Sequence, residues 1–205
     1  TASPLLFPAF DLTDRDAAAN RLMALRPDAV INTAAYTQVD RAEEDRELCN
    51  QVNCVAVEMI AEVCRQLDCP LVQISTDYVF CRARGSTPFR ETVTPLPAGA
   101  YALSKLGGEQ HATQCPKHFV LRTCGLYASG GACPIKGRNF VDTMLVLGRE
   151  REQLSVVTDQ QCTPTAATDL ADAILFLLTT SAYGTYHVTN RGATNWFEFA
   201  LEIFK

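Results

Sequence analysis

Tyr101 and Lys105 stand four residues apart in Tyr-Ala-Leu-Ser-Lys, at the head of a segment that reads as a helix. That spacing puts both on one helix face. A phenol titrates near pH 10, about three units above neutrality, and so is mostly a proton donor at neutral pH. A lysine close by favours the phenolate, so Lys105 is expected to lower the pKa of Tyr101 toward the working range. Upstream, Ser75-Thr76-Asp77-Tyr78-Val79-Phe80 closes a segment of strand type, and Thr76 offers a hydroxyl to hold a substrate oxygen. Together these groups are equipped to move a proton on and off a carbonyl oxygen, the complement of hydride delivery to its carbon. A Tyr-x-x-x-Lys pair alone is common, and its place after strand-end Ser-Thr-Asp is what gives it weight.

Hydride chemistry normally needs a dinucleotide. The first glycine is Gly85, so no glycine-rich phosphate loop precedes the reactive residues. The expectation is the reactive part of a reductase without the start of its cofactor cradle. These residues by themselves are then expected to be inactive, poorly stable and unable to hold NADPH.

The elements that must position the chemistry alternate. Residues 11–26 read as a helix, with Leu22 and Leu25 on one face and Thr13 or Asp11 as cap. Residues 29–31 and 71–74 are strand-like, and between them apolar residues at 48, 52, 55, 56, 59, 60, 63 and 67 form a sustained helical stripe over 41–67. A loop rich in Gly, Pro and Thr spans 82–100. Helix is expected at 101–113, strand at 119–122, and then a loop with Gly130, Gly131 and Gly137. Helices at 139–147, 168–178 and 195–204 alternate with strands at 154–157 and 185–188. Such alternation predicts an α/β fold with parallel strands and helical crossovers, the strands uniformly apolar. Ligands in such sheets bind beyond the carboxyl ends of strands, where Asn32 to Ala35, Ser75 to Asp77 and Thr123 to Gly125 fall.

The net charge of −5, with no basic cluster, argues against nucleic acid as a partner. The longest aliphatic run, Ala173 to Leu178, is far too short to cross a membrane. No signal peptide is visible; a cytoplasmic location is the expectation, from free thiols that suit a reducing compartment. The nine cysteines are scattered with no Cys-x-x-Cys, and Cys115 with His118 has ligand-like spacing but no second pair. Buried free thiols are therefore read in preference to zinc or disulfides, and no metal site is assigned. Trp196, Phe199, Ala200 and Ile203 read as a core helix face, Arg149 to Glu152 as a solvated helix end, and His111 and His118 as surface residues.

In order along the chain stand Arg26-Pro-Asp-Ala-Val-Ile-Asn-Thr-Ala-Ala-Tyr-Thr37, Val39-Asp40 with Ala42-Glu43, and Asn53. Ser75 to Phe80, Tyr101 to Lys105 with Gly108-Glu109, and Leu121-Arg122-Thr123 follow. Asn139-Phe140, Asp159-Gln160 and Pro164-Thr165 complete the set. In this combination the chain resembles the extended short-chain dehydrogenase/reductases, and among them the dTDP-4-dehydrorhamnose reductase family. The resemblance implies one NAD(P)-binding Rossmann-type domain over residues 1–205, truncated so that the N-terminal strands and a C-terminal stretch are missing, with interleaved substrate-binding segments. It implies reduction of dTDP-4-dehydro-β-L-rhamnose to dTDP-β-L-rhamnose by NADPH or NADH. Tyr101 is similar to the family's general acid. Lys105 is similar to the residue that lowers the acid's pKa and binds the nicotinamide ribose, and Thr76 to the one that orients the carbonyl. Asn53 resembles the asparagine that supports a proton relay through Lys105. Ala34 and Ala35 match backbone along the cofactor, and Thr37, Val39, Asp77 and Tyr78 match contacts to the nucleotide-sugar. Mg2+ at acidic residues near Arg149 to Glu152, linking a homodimer, is a family feature that nothing else in the residues supports.

The chain departs from the family at Cys124-Gly125, where a tryptophan is usual, so a roomier sugar pocket is expected. The stretch Gly130 to Arg138 is longer than usual. Two other readings compete: a related epimerase or dehydratase, and a non-catalytic subunit like the regulatory β subunit of methionine adenosyltransferase. A dehydratase commonly has Asp-Glu after the strand-end threonine, whereas Asp77 is followed by Tyr78, which cannot act as that carboxylate, so the dehydratase reading falls.

Overall fold

The structure, a computed structural model, describes residues 11–85, 87–128 and 139–205. The expected loop glycines Gly130, Gly131 and Gly137, the stretch Gly130 to Arg138 and Cys133 lie outside the described residues. In chain order the elements are α1 (Arg15–Leu25), β1 (Val30–Asn32), a 3-10 turn (Arg41–Glu43), α2 (Arg46–Asn50), a π-helical turn (Gln51–Val55) and α3 (Ala56–Leu67). Next come β2 (Leu71–Thr76), a 3-10 turn (Asp77–Phe80), α4 (Gly99–Ala112), β3 (His118–Thr123), β4 (Leu126–Tyr127) and α5 (Phe140–Glu150). Last are β5 (Gln161–Cys162), β6 (Thr165–Ala166), α6 (Ala167–Leu178), β7 (Gly184–His187), β8 (Thr194–Asn195) and α7 (Trp196–Ile203). The residues fall into two compact units, one within Thr1–Arg122 plus Leu177–His187, the other within Thr123–Phe176 plus Val188–Lys205.

The first unit is a sheet of order β1-β2-β3-β7, with β1–β2 and β3–β7 parallel. This is the α/β, Rossmann-like arrangement the alternation predicts. α3 connects β1 to β2 and packs against α1 and α4. Its buried stripe includes Val57, Met59, Ile60 and Val63, facing Leu71 and Val120 of the sheet. Each such side chain taken from water contributes about 1.5–3 kcal/mol.

α1 is capped by Asp14, which accepts from Ala17 N at 3.1 Å, while Asp11 binds Thr13 instead. The expected cap at Thr13 or Asp11 thus lies one to three residues too early, and of its expected apolar face Leu22 is buried but Leu25 is 37% exposed. The stripe over 41–67 is not one helix. It breaks into a 3-10 turn and two α-helices joined by the π turn, a feature with no apolar signature because it shifts the hydrogen-bond ladder and leaves the pattern intact.

The strands are not uniformly apolar. Leu71, Val72, Phe119, Val120 and Leu121 are fully buried, but so, nearly, are Gln73, Ser75, Thr76 and Arg122 toward the carboxyl ends. Those polar side chains are tolerated because they are paired. Glu109 of α4 holds Arg122 of β3 through Nε at 3.0 Å and Nη2 at 2.7 Å, and accepts Ser75 Oγ at 2.5 Å. The guanidinium lies 5.0 Å from the centre of the Phe80 ring. α4 can approach the π turn closely because position 108 is glycine: a Cβ there would stand 2.2 Å from Asn53 O.

In the second unit β4 pairs with β6 and β5 with β8. Asn139 caps α5 and Asn195 caps α7, each side chain accepting the backbone N–H three residues on. Phe140 of α5 lies 4.7 Å from Trp196 and stacks with Phe199 at 5.6 Å, ring centre to ring centre; of the expected core face Ala200 is buried while Trp196, Phe199 and Ile203 are half-buried. The expected room beside Gly125 is filled: a Cβ there meets Trp196 at 3.1 Å and Pro164 Cα at 3.4 Å. Residues 154–157 form no strand; Val157 O accepts Phe197 N at 3.1 Å, at the start of α7, in place of a ladder bond. Arg149 to Glu152 are exposed.

The eight described cysteines are free thiols, all but Cys54 and Cys81 buried. His111 and His118 are half-buried, not surface residues, and His118 Nδ1 lies 2.7 Å from Cys115 O.

Arg122→Ala leaves the Glu109 carboxylate buried without its cation. Unfolding in urea is expected to show a loss of about 3–5 kcal/mol.

Candidate active site

β2 ends in Thr76, and the chain turns at once into the 3-10 turn that carries Asp77 and Tyr78. Thr76 Oγ1 caps that turn by accepting Tyr78 N at 3.2 Å, and donates to Asp77 Oδ1 at 3.2 Å. The Thr76 side chain also acts on the phenol of Tyr101, in the first turn of α4, lowering its pKa. Tyr78 meets the Tyr101 ring edge-on, centroids 5.5 Å apart. One turn on, Lys105 is only 4% exposed, and its Nζ donates to Ile74 O at 2.7 Å. The sequence places Thr76, Tyr101 and Lys105 together, and the structure gathers all three at the carboxyl end of β2.

The expected electrostatics differ. The spacing predicts a phenol lowered by Lys105. Instead burial pushes Tyr101 up to about 12, the Thr76 side chain opposing the rise. Burial also brings Lys105 down to about 8, with Glu109 one turn further on pulling it back up. The reason is that the ammonium is directed to a strand-end carbonyl and both groups are desolvated. A phenol at about 12 is a proton donor at neutral pH, and a lysine at about 8 is still mostly an ammonium.

Asn53 sits in the π turn, 1% exposed. Its Oδ1 accepts Tyr36 N at 2.8 Å, and its Nδ2 donates to Tyr36 O at 3.0 Å and to Ser104 Oγ at 3.1 Å. Ser104 in turn donates to Tyr101 O at 2.8 Å and shares a contact of 3.2 Å with Cys49 Sγ. The side chain expected in a relay through Lys105 thus fastens the loop after β1 to the helix bearing Tyr101. That loop holds Ala34, Ala35, Thr37 and Val39. Ala34 is exposed and the other three half-buried, and Ala34 N donates to Asn32 Oδ1 at 3.2 Å. Asn32 Nδ2 continues to Gln73 Oε1 at 2.8 Å, and Gln73 Nε2 to Ile74 O at 2.9 Å, the carbonyl that also takes Lys105. Asp77 and Tyr78 are exposed.

Sequence reasoning passed over Gln73, Ser104 and Glu109 as site residues. Ser104 and Glu109 had a signal, since they share the helix and its face with Tyr101 and Lys105. Gln73, in the middle of a buried strand, stood out as a polar residue among apolar ones.

The residues present fit the nicotinamide end of a dinucleotide. An ammonium has three N–H donors. Ile74 O is the acceptor Lys105 has among the described residues, which leaves donors for ribose hydroxyls. No cluster of three or more His, Cys, Asp or Glu suited to a metal ion occurs among the described residues. None of their helices is long and apolar enough to cross a membrane.

The profile of the RmlD substrate binding domain matches residues 3–205. The chain is 38% identical over 200 residues to the dTDP-4-dehydrorhamnose reductase of Salmonella typhimurium, covering 95% of this chain and 64% of that protein. With the reductase of Escherichia coli K12 the identity is 35% over 201 residues, covering 95% and 65%. The chain thus spans a little less than two thirds of these curated relatives. The crystal structure of a dTDP-4-dehydrorhamnose reductase from Bacillus anthracis, in complex with NADP, superposes with a TM-score of 0.87 at 41% identity, covering 95% of this chain and 68% of that one.

Lys105 titrates near pH 8 when folded and near 10.5 in its ordinary state. Between those values the unfolded chain holds more protons here than the folded one, so stability rises with pH on account of this group. Urea unfolding at about pH 7.5 and about pH 10 is expected to show wild type gaining on Lys105→Met at the higher pH.

Proposed function

Because the chain belongs to the family of the RmlD substrate binding domain, we propose that the protein carrying it is an oxidoreductase that reduces the 4-keto group of a nucleotide-sugar with NADPH or NADH. The substrate that fits this reading best is dTDP-4-dehydro-β-L-rhamnose and the product dTDP-β-L-rhamnose. The single observation that carries the proposal is the grouping of Tyr101 in the first turn of α4, the buried Lys105 one turn on and bound to Ile74 O at 2.7 Å, and Thr76 at the end of the same strand β2.

A nicotinamide held beside Lys105 would supply the hydride for the carbonyl carbon. Thr76 holds the carbonyl oxygen through its hydroxyl, and Tyr101 gives its proton to that oxygen as negative charge develops on it. Lys105 binds the nicotinamide ribose and, as an ammonium, favours the phenolate left behind. The Tyr101 phenolate regains a proton from solvent by a relay through Lys105 that Asn53 supports. Ala34 and Ala35 lend backbone along the cofactor. Thr37, Val39, Asp77 and Tyr78 contact the nucleotide-sugar. A cytoplasmic location and a homodimer belong to the same reading; light scattering on the purified protein tests the dimer.

A non-catalytic subunit of the methionine adenosyltransferase β type would keep the fold without turnover. Oxidation of NADPH that depends on an added 4-keto sugar separates the two. Tyr101→Phe removes the acid alone and is expected to cut turnover about a hundredfold or more while leaving the unfolding midpoint in place. Near-wild-type turnover of that variant would eliminate the role given to Tyr101.

A further inference from the structure

α4 carries both reactive side chains, yet its own flanking sequence supplies no cap. Ala98, the residue before it, is extended and makes no side-chain hydrogen bond to the first turn. The orphan N–H groups of that turn need an acceptor from elsewhere. One is brought from far away in the sequence. Glu43 Oε1 accepts Ala100 N at 2.6 Å, across a separation of 57 residues. The approach is possible because position 99 is glycine with φ of +79°, and a Cβ there would stand 2.7 Å from the same oxygen. Glu43 is itself held: Arg46 Nη2 binds Oε2 at 2.5 Å, and Arg46 Nε donates to Glu43 O at 3.1 Å. Ala100 is the residue immediately before Tyr101, and Glu43 closes the 3-10 turn that follows Thr37 and Val39.

We infer that Glu43 is a positioning residue for Tyr101: it caps α4 from the segment after β1, and so fixes where the phenol stands against Thr76. A carboxylate at a helix N-terminus makes a charge-assisted bond aligned with the helix dipole, which suits it to this task. With Asn53, which ties Tyr36 to Ser104, it gives α4 two links to that segment, one at its start and one a turn later. The inference rests on the proposed reductase reading for its kinetic consequence, but the cap itself can be read without turnover.

The test uses the whole protein that carries this chain, in wild-type, Glu43→Ala, Glu43→Gln and Glu43→Asp forms. Loss of the cap in Glu43→Ala is expected to lower kcat about tenfold, with KM for ketosugar and NADPH held within about twofold. Exchange of the Ala100 amide hydrogen, followed by NMR, is expected to quicken by about tenfold. Glu43→Gln keeps an acceptor oxygen and is expected to retain about half of wild-type kcat or more. Unchanged kcat together with unchanged Ala100 exchange in Glu43→Ala overturns the inference. Should that variant not fold, Glu43→Asp, one methylene shorter, decides in its place: parity with wild type in both measurements overturns it, and a partial loss in both supports it. A wild-type protein with no ketosugar turnover would defeat the reductase reading instead, and Ala100 exchange would still decide the cap.

Discussion

A single ammonium buried at the end of a strand organises the first unit. Lys105 is almost out of contact with water, and a charge in that position is costly unless hydrogen-bonded and balanced. Ile74 O supplies the hydrogen bond, and Glu109, one turn along α4, supplies the opposite charge. Glu109 is equally buried and is held by Arg122. Arg122 lies over the Phe80 ring and near His187 Nε2 at 3.5 Å. His187 binds Phe89 O through Nδ1, and its backbone N–H goes to Glu91. Each partner thus needs the next, and the need to place one cation accounts for the polar ends of β2, β3 and β7. Phe119, Val120 and Leu121, lower on β3, carry no such obligation and are wholly apolar.

A second network holds the geometry without charge. Asn53 uses both ends of its amide on the backbone of Tyr36 and still reaches Ser104, which binds Tyr101 O. Asn53 stands within the π turn, so the side chain that makes these contacts sits where the α-helical ladder is interrupted. Gly108 lets α4 lie against that turn. Three elements far apart in sequence are therefore locked by neutral hydrogen bonds, which lose little strength with salt or pH. The electrostatic network sets protonation, while the amide network sets position.

Burial also changes how the tyrosine is to be understood. In water a lysine one turn away would be the dominant influence on a phenol. Inside the protein desolvation is the largest influence, with the charges of Asp77 and Tyr78 adding to it, and the phenol is held up at about 12 as a firm proton donor. For a reduction that ends by protonating an alkoxide, a phenol that keeps its proton at neutral pH is in the right starting state.

The amino-acid sequence by itself determined the alternation of strands and helices, and with it the parallel sheet. It also determined the one-turn spacing of Tyr101 and Lys105 and the strand-end position of Thr76. These are local properties: apolar periodicity, turn residues and helix geometry are written into neighbouring positions. Residues 154–157 show the limit, since a short apolar run becomes a strand only if a neighbouring ladder exists, and here Val157 O went to α7. Tertiary structure alone decided what surrounds the reactive groups. The sign of the Tyr101 shift depends on burial by residues distant in sequence. The pairing of Glu109 with Arg122, the grip of Asn53 on Tyr36 and the capping of α4 by Glu43 join positions from 13 to 57 residues apart. No periodicity records such pairs, because the partners meet only when the parallel strands have brought their carboxyl ends together.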